Sequence, residues 1–388
     1  MSTRTTNLKS PTSTLPKLKA LTTLRFFAAL HVVVFHMRIV GMLPPGPWWL
    51  ENFAAVGYIG VNLFFVLSGF ILVYTYGETG LTARRFWQAR FARIYPAYVL
   101  SLVLSAPFFF FAVRNLDIPF LAWSKQHLSA ACALTIALLQ SWFPQAALTW
   151  NAVCWSLSVE AFFYVAFPMV LVWTTGFASR KLFRGIVFWS LVSLATSVLY
   201  IVVHPDGMDK INSGETTLLW KNVLSFNPLL RLPEFLVGVF AGRLFLSAKN
   251  NRKLATPLVL LGAVMVVTLV LVADRIPRPL ISAGFLSPAF ASIIYGLALR
   301  PRWAGFLETG PLVLLGDASY SLYLLHSTVM STFAERTPSL HWPVQASLAL
   351  VAAVGVSLSS YYVVEEPFRK LLRPKAKLPV PQDKSKQW

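Results

Sequence analysis

Eleven apolar segments recur along this chain, around residues 21–40, 54–76, 94–113, 128–143, 153–173, 185–203, 229–247, 255–273, 281–299, 312–333 and 344–364. Each approaches the roughly 20 residues that a helix needs to cross the hydrocarbon of a bilayer. Inside a bilayer the backbone must satisfy its own hydrogen bonds, which a helix does within one segment. Hydrophobic residues make up 56% of the chain and charged residues 13%, against about 25% charged in soluble domains. No polar stretch is long enough to build a second core. The expected fold is therefore an all-α polytopic membrane bundle. A basic N-terminal segment over 1–17, with Pro11 and Pro16, reads as disordered; 18–368 reads as the membrane domain and 369–388 as a basic tail. The first apolar run carries Arg25 and no small-residue cleavage site, so it reads as a retained helix. Cys132 and Cys154 lie in apolar context and read as packing residues, with no disulfide or metal signature.

Charge placement sets the topology. Eleven crossings would put the charge-free "FPQAALTWN" inside and "ASRKLFR" outside, against the positive-inside rule. Segment 128–143 is short and holds Gln140 and Ser141, so it reads as interfacial or re-entrant. Ten crossings with both termini cytoplasmic then place 23 of the 34 Lys and Arg on the inside. The net charge of +19 is thus mostly a topology signal and not a nucleic-acid-binding surface.

Ionisable residues at membrane depth are costly and mark functional positions. Arg25 and His36 are eleven residues apart in "RFFAALHVVVFH", which on a helix is about 20° around the axis and about 16 Å along it. Arg25 falls near the cytoplasmic end and His36 in the outer half; His31 lies on another face and reads as a histidine bonded to a neighbouring helix. Ser156, Glu160 and Tyr164, spaced by four, line one side of another crossing. His326 falls near the outer end of "LLGDASYSLYLLH", with Ser319 and Tyr323 on roughly its face. Arg231 and Glu234, in "RLPEFLVG", also fall in the outer half. They are spaced to pair with each other, and Pro233 and Glu234 suit the first turn of a helix. A buried Glu160 needs a partner, and His36 is the expected one. At the inner mouth, Arg90 and Arg93 lie one turn apart beside Trp87 and Tyr95, and with Arg25 they are placed to clamp phosphates.

Seven stretches occur in order: Arg25 to His36, "GYIGVNLFFVLSGFIL", "RFARIYPAY", "WSLSVEAFFYVAFP", "RLPEFLVGVFAG", "LGDASYSLYLLH" and "EEPFRK". Together they resemble the acyltransferase 3 family, the membrane-bound bacterial O-acyltransferases, over about residues 17–373. The chain departs from many members in having Asn62 where they carry Asp. Some members carry a further C-terminal hydrolase-like domain; the basic, Pro- and Lys-rich stub after residue 365 reads as lacking it.

The resemblance implies a multi-pass protein of the bacterial cytoplasmic membrane. It implies acyl transfer, usually of acetyl, from cytoplasmic acyl-CoA to a hydroxyl of a carbohydrate or glycoside acceptor. On that reading Arg25, Arg90 and Arg93 hold the phosphates of the co-substrate, and no metal takes part. The Arg25–His36 spacing acts as a ruler to the thioester. His36 is the base that takes the hydroxyl proton, Glu160 orients it, and His326, Ser319 or Tyr323 steadies the oxyanion or positions the sugar. Direct transfer and an acyl-histidine relay both remain open. Trp155 is a sugar-stacking candidate, as well as a residue suited to an interfacial belt. Arg231 and Glu234 are candidates for acceptor binding. The rival class is a transporter or flippase using the buried charges as a path. The Arg–His pattern has no repeat in the second half, which disfavours that class.

Overall fold

The computed structural model describes residues 15–78, 82–248 and 251–372. Among them, ten helices have twelve residues or more: α1 Lys19–Ile39, α2 Ile59–Tyr76, α3 Ala83–Asn115, α4 Trp155–Trp173, α5 Ser179–Val203, α6 Pro228–Ser247, α7 Ala255–Leu271, α8 Ser287–Ala298, α9 Ser319–Arg336 and α10 Trp342–Ser360. The chain is an all-α polytopic membrane protein. Eight helical segments of the described residues are long and apolar enough to span a bilayer. The helices α6, of 20 residues, and α9, of 18, have spanning length too, but carry the polar groups described below.

Segment 128–143 does not form a spanning helix. Its helix, Leu128–Ile136, has nine residues, about 14 Å at 1.5 Å per residue. The polar end of the segment docks on the start of α4: Gln140 Nε2 donates to the Cys154 carbonyl (3.1 Å) and Ser141 Oγ to that of Trp155 (2.7 Å). The two described ends of the chain lie at one end of the bundle. Tyr74 OH donates to the Pro16 carbonyl (2.8 Å) and Gln88 Nε2 to the Leu372 carbonyl (3.2 Å), on either side of the α2–α3 connection. Most of the basic segment and tail expected at 1–17 and 369–388 lies outside the described residues. Those that are described are ordered against the bundle, with Lys17 paired to Asp317 (2.8 Å) and a helix Glu366–Leu372 packed on α3.

The helices α2 and α6 form the central pair. The first is apolar nearly all round, as a helix buried on every side must be, and α6 is apolar apart from Arg231, Glu234 and Arg243. Gly69 and Gly238 let the two backbones touch: a Cβ on Gly238 would overlap the Val66 carbonyl, and one on Gly69 the Phe235 carbonyl. Small residues set close helix approach in the same way elsewhere in membranes. Gly238→Leu is expected to cost about 1–3 kcal/mol or more through overpacking, read as a lower unfolding temperature in detergent. Gly355→Leu, on α10 with open space around it, is the matched control and does not lower that temperature.

The helix α6 starts earlier than its proline suggested. Asn227 Oδ1 accepts from the Leu229 amide (3.0 Å) and Pro228 takes the first helical position. Pro233 and Glu234 therefore sit inside the helix and not at its N-terminus. The segment Arg278–Ala298 is broken between Ser282 and Ser287, where Gly284 adopts φ +82°. Irregular backbone at membrane depth persists where protein surrounds it, and Ala283, Gly284 and Leu286 of this break are buried. It frees the carbonyls of Ile281 and Ser282 for side chains of α2 and α6.

Candidate active site

Five helices enclose a chamber of about 790 Å³, counting the part open to solvent. Arg25 comes from α1, Phe64 and Ser68 from α2, Arg90 and Arg93 from α3, Glu160 and Tyr164 from α4, and Ser319, Tyr320 and Tyr323 from α9. The helix α3 begins eleven residues before the apolar run at 94, so Arg90 and Arg93 project from a formed helix and are fixed in height.

The three arginines are not equivalent. Arg90 Nη2 donates to Tyr76 OH (2.6 Å), and its guanidinium lies 5.2 to 5.9 Å from the ring centres of Tyr76, Phe86 and Tyr164. It is a clamped cation. Among the described residues, Arg25 and Arg93 have neither a hydrogen-bond nor an ion-pair partner in contact, although both line the chamber. Glu160 and Glu365 lie within electrostatic reach of both. Each carboxylate is held elsewhere: Glu160 Oε1 accepts from Tyr164 OH (2.5 Å) and Ser68 Oγ (3.3 Å), and Glu365 Oε2 from Ser321 Oγ (3.2 Å). The acids thus offset the local charge while leaving two guanidinium forks open.

The reading of Glu160 as the group that orients His36 is not realised. Its carboxylate is taken by Tyr164 on its own helix and Ser68 on α2, at the arginine end of the chamber. His36 meets His326 instead: His326 Nε2 lies 3.1 Å from His36 Nδ1, with the rings edge to face at 4.8 Å. Tyr323 links the two regions. It lines the chamber, and its ring centre lies 6.1 Å from that of His326.

Two hydroxyls considered for the oxyanion are already committed. Ser319 Oγ donates to the Gly316 carbonyl (2.7 Å); Tyr323 OH donates to the Val153 carbonyl (2.9 Å) and shares a 2.6 Å contact with Ser156 Oγ. Trp155 does not line the chamber; its ring packs against Phe65 and Phe226 and over Arg231. Arg231 and Glu234, read as candidates for acceptor binding, are engaged within the bundle. Arg231 Nη2 donates to Asn62 Oδ1 (2.7 Å) and Nη1 to the freed Ser282 carbonyl (2.5 Å), with Glu234 Oε1 at 3.3 Å. Both are buried and neither lines the chamber, Arg231 packing behind Phe65 of its wall. Asn62 completes the knot, its amide donating to the Ile281 and Ser282 carbonyls (3.4 and 3.2 Å). A neutral amide suffices there because Glu234 already supplies the negative charge. His31 bonds the Phe53 carbonyl (2.8 Å).

Glu365, buried within electrostatic reach of Arg25 and Arg93, is the acid beside the chamber that sequence reasoning passed over. The available signal was a buried acid at the end of an apolar run in "EEPFRK". It ends a π-helical turn, Tyr361–Glu365, a distortion common at functional sites.

The architecture is that of a membrane-embedded helical protein with a cationic chamber leading towards a histidine pair. The chain belongs to the acyltransferase 3 family, whose acyltransferase-domain model matches residues 18–362. It is 25% identical over 369 residues to O-acetyltransferase OatA of Staphylococcus aureus (strain NCTC 8325 / PS 47), covering 89% of this chain and 56% of that protein. The chain thus spans little more than half the length of that relative. It is 26% identical over 396 residues to acyltransferase MdmB of Streptomyces mycarofaciens, covering 94% of this chain and 96% of that one. No solved structure matches the chain significantly.

Proposed function

We propose that this protein is a membrane O-acyltransferase. It moves an acyl group, acetyl in the simplest case, from cytoplasmic acyl-CoA to a hydroxyl of a carbohydrate or glycoside acceptor at the bacterial cytoplasmic membrane. The observation that carries the reading is the pair of open guanidinium forks, Arg25 and Arg93, in a chamber that reaches Tyr323 beside the two histidines. Family membership and the likeness to OatA and MdmB support it.

A planar guanidinium binds phosphate oxygens through paired N–H donors. Arg25 and Arg93 grip the phosphates, and the clamped Arg90 adds charge without moving. The thin pantetheine arm extends from there along the bundle. Arg25 and His36 share a face of α1 about 16 Å apart, so the thioester arrives near His36 when the phosphates are held. His36 removes the acceptor hydroxyl proton as its oxygen attacks the thioester carbonyl. The new C–O bond forms, the C–S bond breaks, and the proton passes from His36 to the departing thiolate. Glu160 and Glu365 keep the arginine cluster from carrying uncompensated charge into the bilayer.

The test is CoA release from radiolabelled acetyl-CoA by protein in nanodiscs, with a panel of methyl glycosides as acceptors. His36→Ala is expected to bind acetyl-CoA normally and to turn over about 10²–10⁴-fold more slowly. Wild-type turnover by His36→Ala would remove the base from the proposal; a wild-type protein that fails to bind acetyl-CoA would remove the donor.

A further inference from the structure

The two histidines each fold back on their own helix. His36 Nδ1 lies 2.9 Å from the Val32 carbonyl, and His326 Nδ1 lies 3.1 Å from that of Leu322, four residues back in both cases. A carbonyl oxygen only accepts, so both Nδ1 atoms carry the proton. The third contact, His326 Nε2 to His36 Nδ1 at 3.1 Å, then has one solution. His36 Nδ1 has no lone pair to offer, so its N–H donates, shared between Val32 O and the bare Nε2 of His326. With the His36 ring neutral, its lone pair is on Nε2.

We infer that His326 is a positioning residue: it holds His36 in the tautomer whose Nε2 is bare, and it supplies a neutral acceptor for the imidazolium that forms when Nε2 takes the hydroxyl proton. The inference rests on His36 acting as the base and assigns the role first given to Glu160. When Nε2 of His36 is protonated, its Nδ1–H contact to His326 becomes charge-assisted and stronger. A shift of the shared proton towards His326 Nε2 spreads the charge over two rings. Tertiary structure gives the reason for an imidazole in place of the usual carboxylate. His326 is fully buried, and an acid there would be a permanent charge needing its own counter-ion. The cost of charge is met only during the catalytic step.

Histidine nitrogen-15 NMR of the wild-type protein in bilayers reads this directly, each of the six histidines being assigned by single substitution. The expected spectrum has His36 protonated at Nδ1 and bare at Nε2, with a coupling from that proton to His326 Nε2. Kinetics with acetyl-CoA and the glycoside panel give a second readout. His326→Leu is expected to lower kcat about a hundredfold with KM for acetyl-CoA unchanged, and His326→Gln, whose amide oxygen accepts, to regain about tenfold of the loss. A wild-type His36 protonated at Nε2 would overturn the inference, as would a His326→Leu variant as fast as wild type while His36→Ala is inactive. Activity retained by His36→Ala would overturn the base assignment beneath it, a separate result.

Discussion

Replacing both open arginines, Arg25→Ala with Arg93→Ala, is expected to raise KM for acetyl-CoA by about 10²–10⁴. Each contact from a guanidinium to a charged group contributes about 1.5–3 kcal/mol, and each 1.36 kcal/mol is tenfold. The value of kcat at saturation should change little, because the arginine end of the chamber is separated from His36 by about 16 Å of helix rise. S-acetyl-pantetheine, which lacks the phosphates, is the control. Its turnover should be slow in the wild type and no slower in the double variant. If the variant loses activity equally on both donors, the arginines serve the bundle and not the phosphates. Arg90→Ala should behave differently. It removes a cation stacked among Tyr76, Phe86 and Tyr164, so its loss combines weaker donor binding with lost packing.

Arg231→Leu is expected to lower stability by about 3–5 kcal/mol, the cost of removing one partner of a buried ion pair. Glu234 is fully buried, and Arg231 is its one ion-pair partner among the described residues. The variant leaves that carboxylate uncompensated, strips Asn62 Oδ1 of its donor and leaves the Ser282 carbonyl with the Asn62 amide alone. Adding Glu234→Leu should recover much of the loss, since an apolar pair of similar size needs no counter-charge. Thermal unfolding in detergent measures both, with acetyl-CoA affinity in the surviving protein as the functional control. An acceptor-binding role would instead appear as a raised KM for the glycoside in a protein of unchanged stability.

Much of the molecule was legible as pattern. The helical, membrane-spanning character follows from apolar runs that only a helix satisfies in lipid. The non-spanning nature of segment 128–143 followed from its length and its polar residues, and the structure gives it a nine-residue helix. Arg25 and His36 share a helix, so their separation is set by covalent geometry alone. Depth also grouped Arg25, Arg90 and Arg93 at one end of the bundle, and the three line one chamber; it grouped Glu160 with His36 instead, whereas the structure puts Glu160 in the arginine chamber.

What only the tertiary structure decided is which polar group meets which. Depth along a crossing can be read from residue number, but rotation about each axis and the azimuth of neighbouring helices cannot. Glu160 and His36 fell at similar depth and had complementary chemistry, yet Tyr164 lay one turn away on the same helix and took the carboxylate. His326 reached His36 because α9 packs on α1. Arg231 looked available until the break in Arg278–Ala298 placed the Ser282 carbonyl against it. Helical period fixes neighbours within one helix; partners between helices depend on backbone approach, here set by glycines such as Gly69 and Gly238, and that is a property of the whole packed bundle.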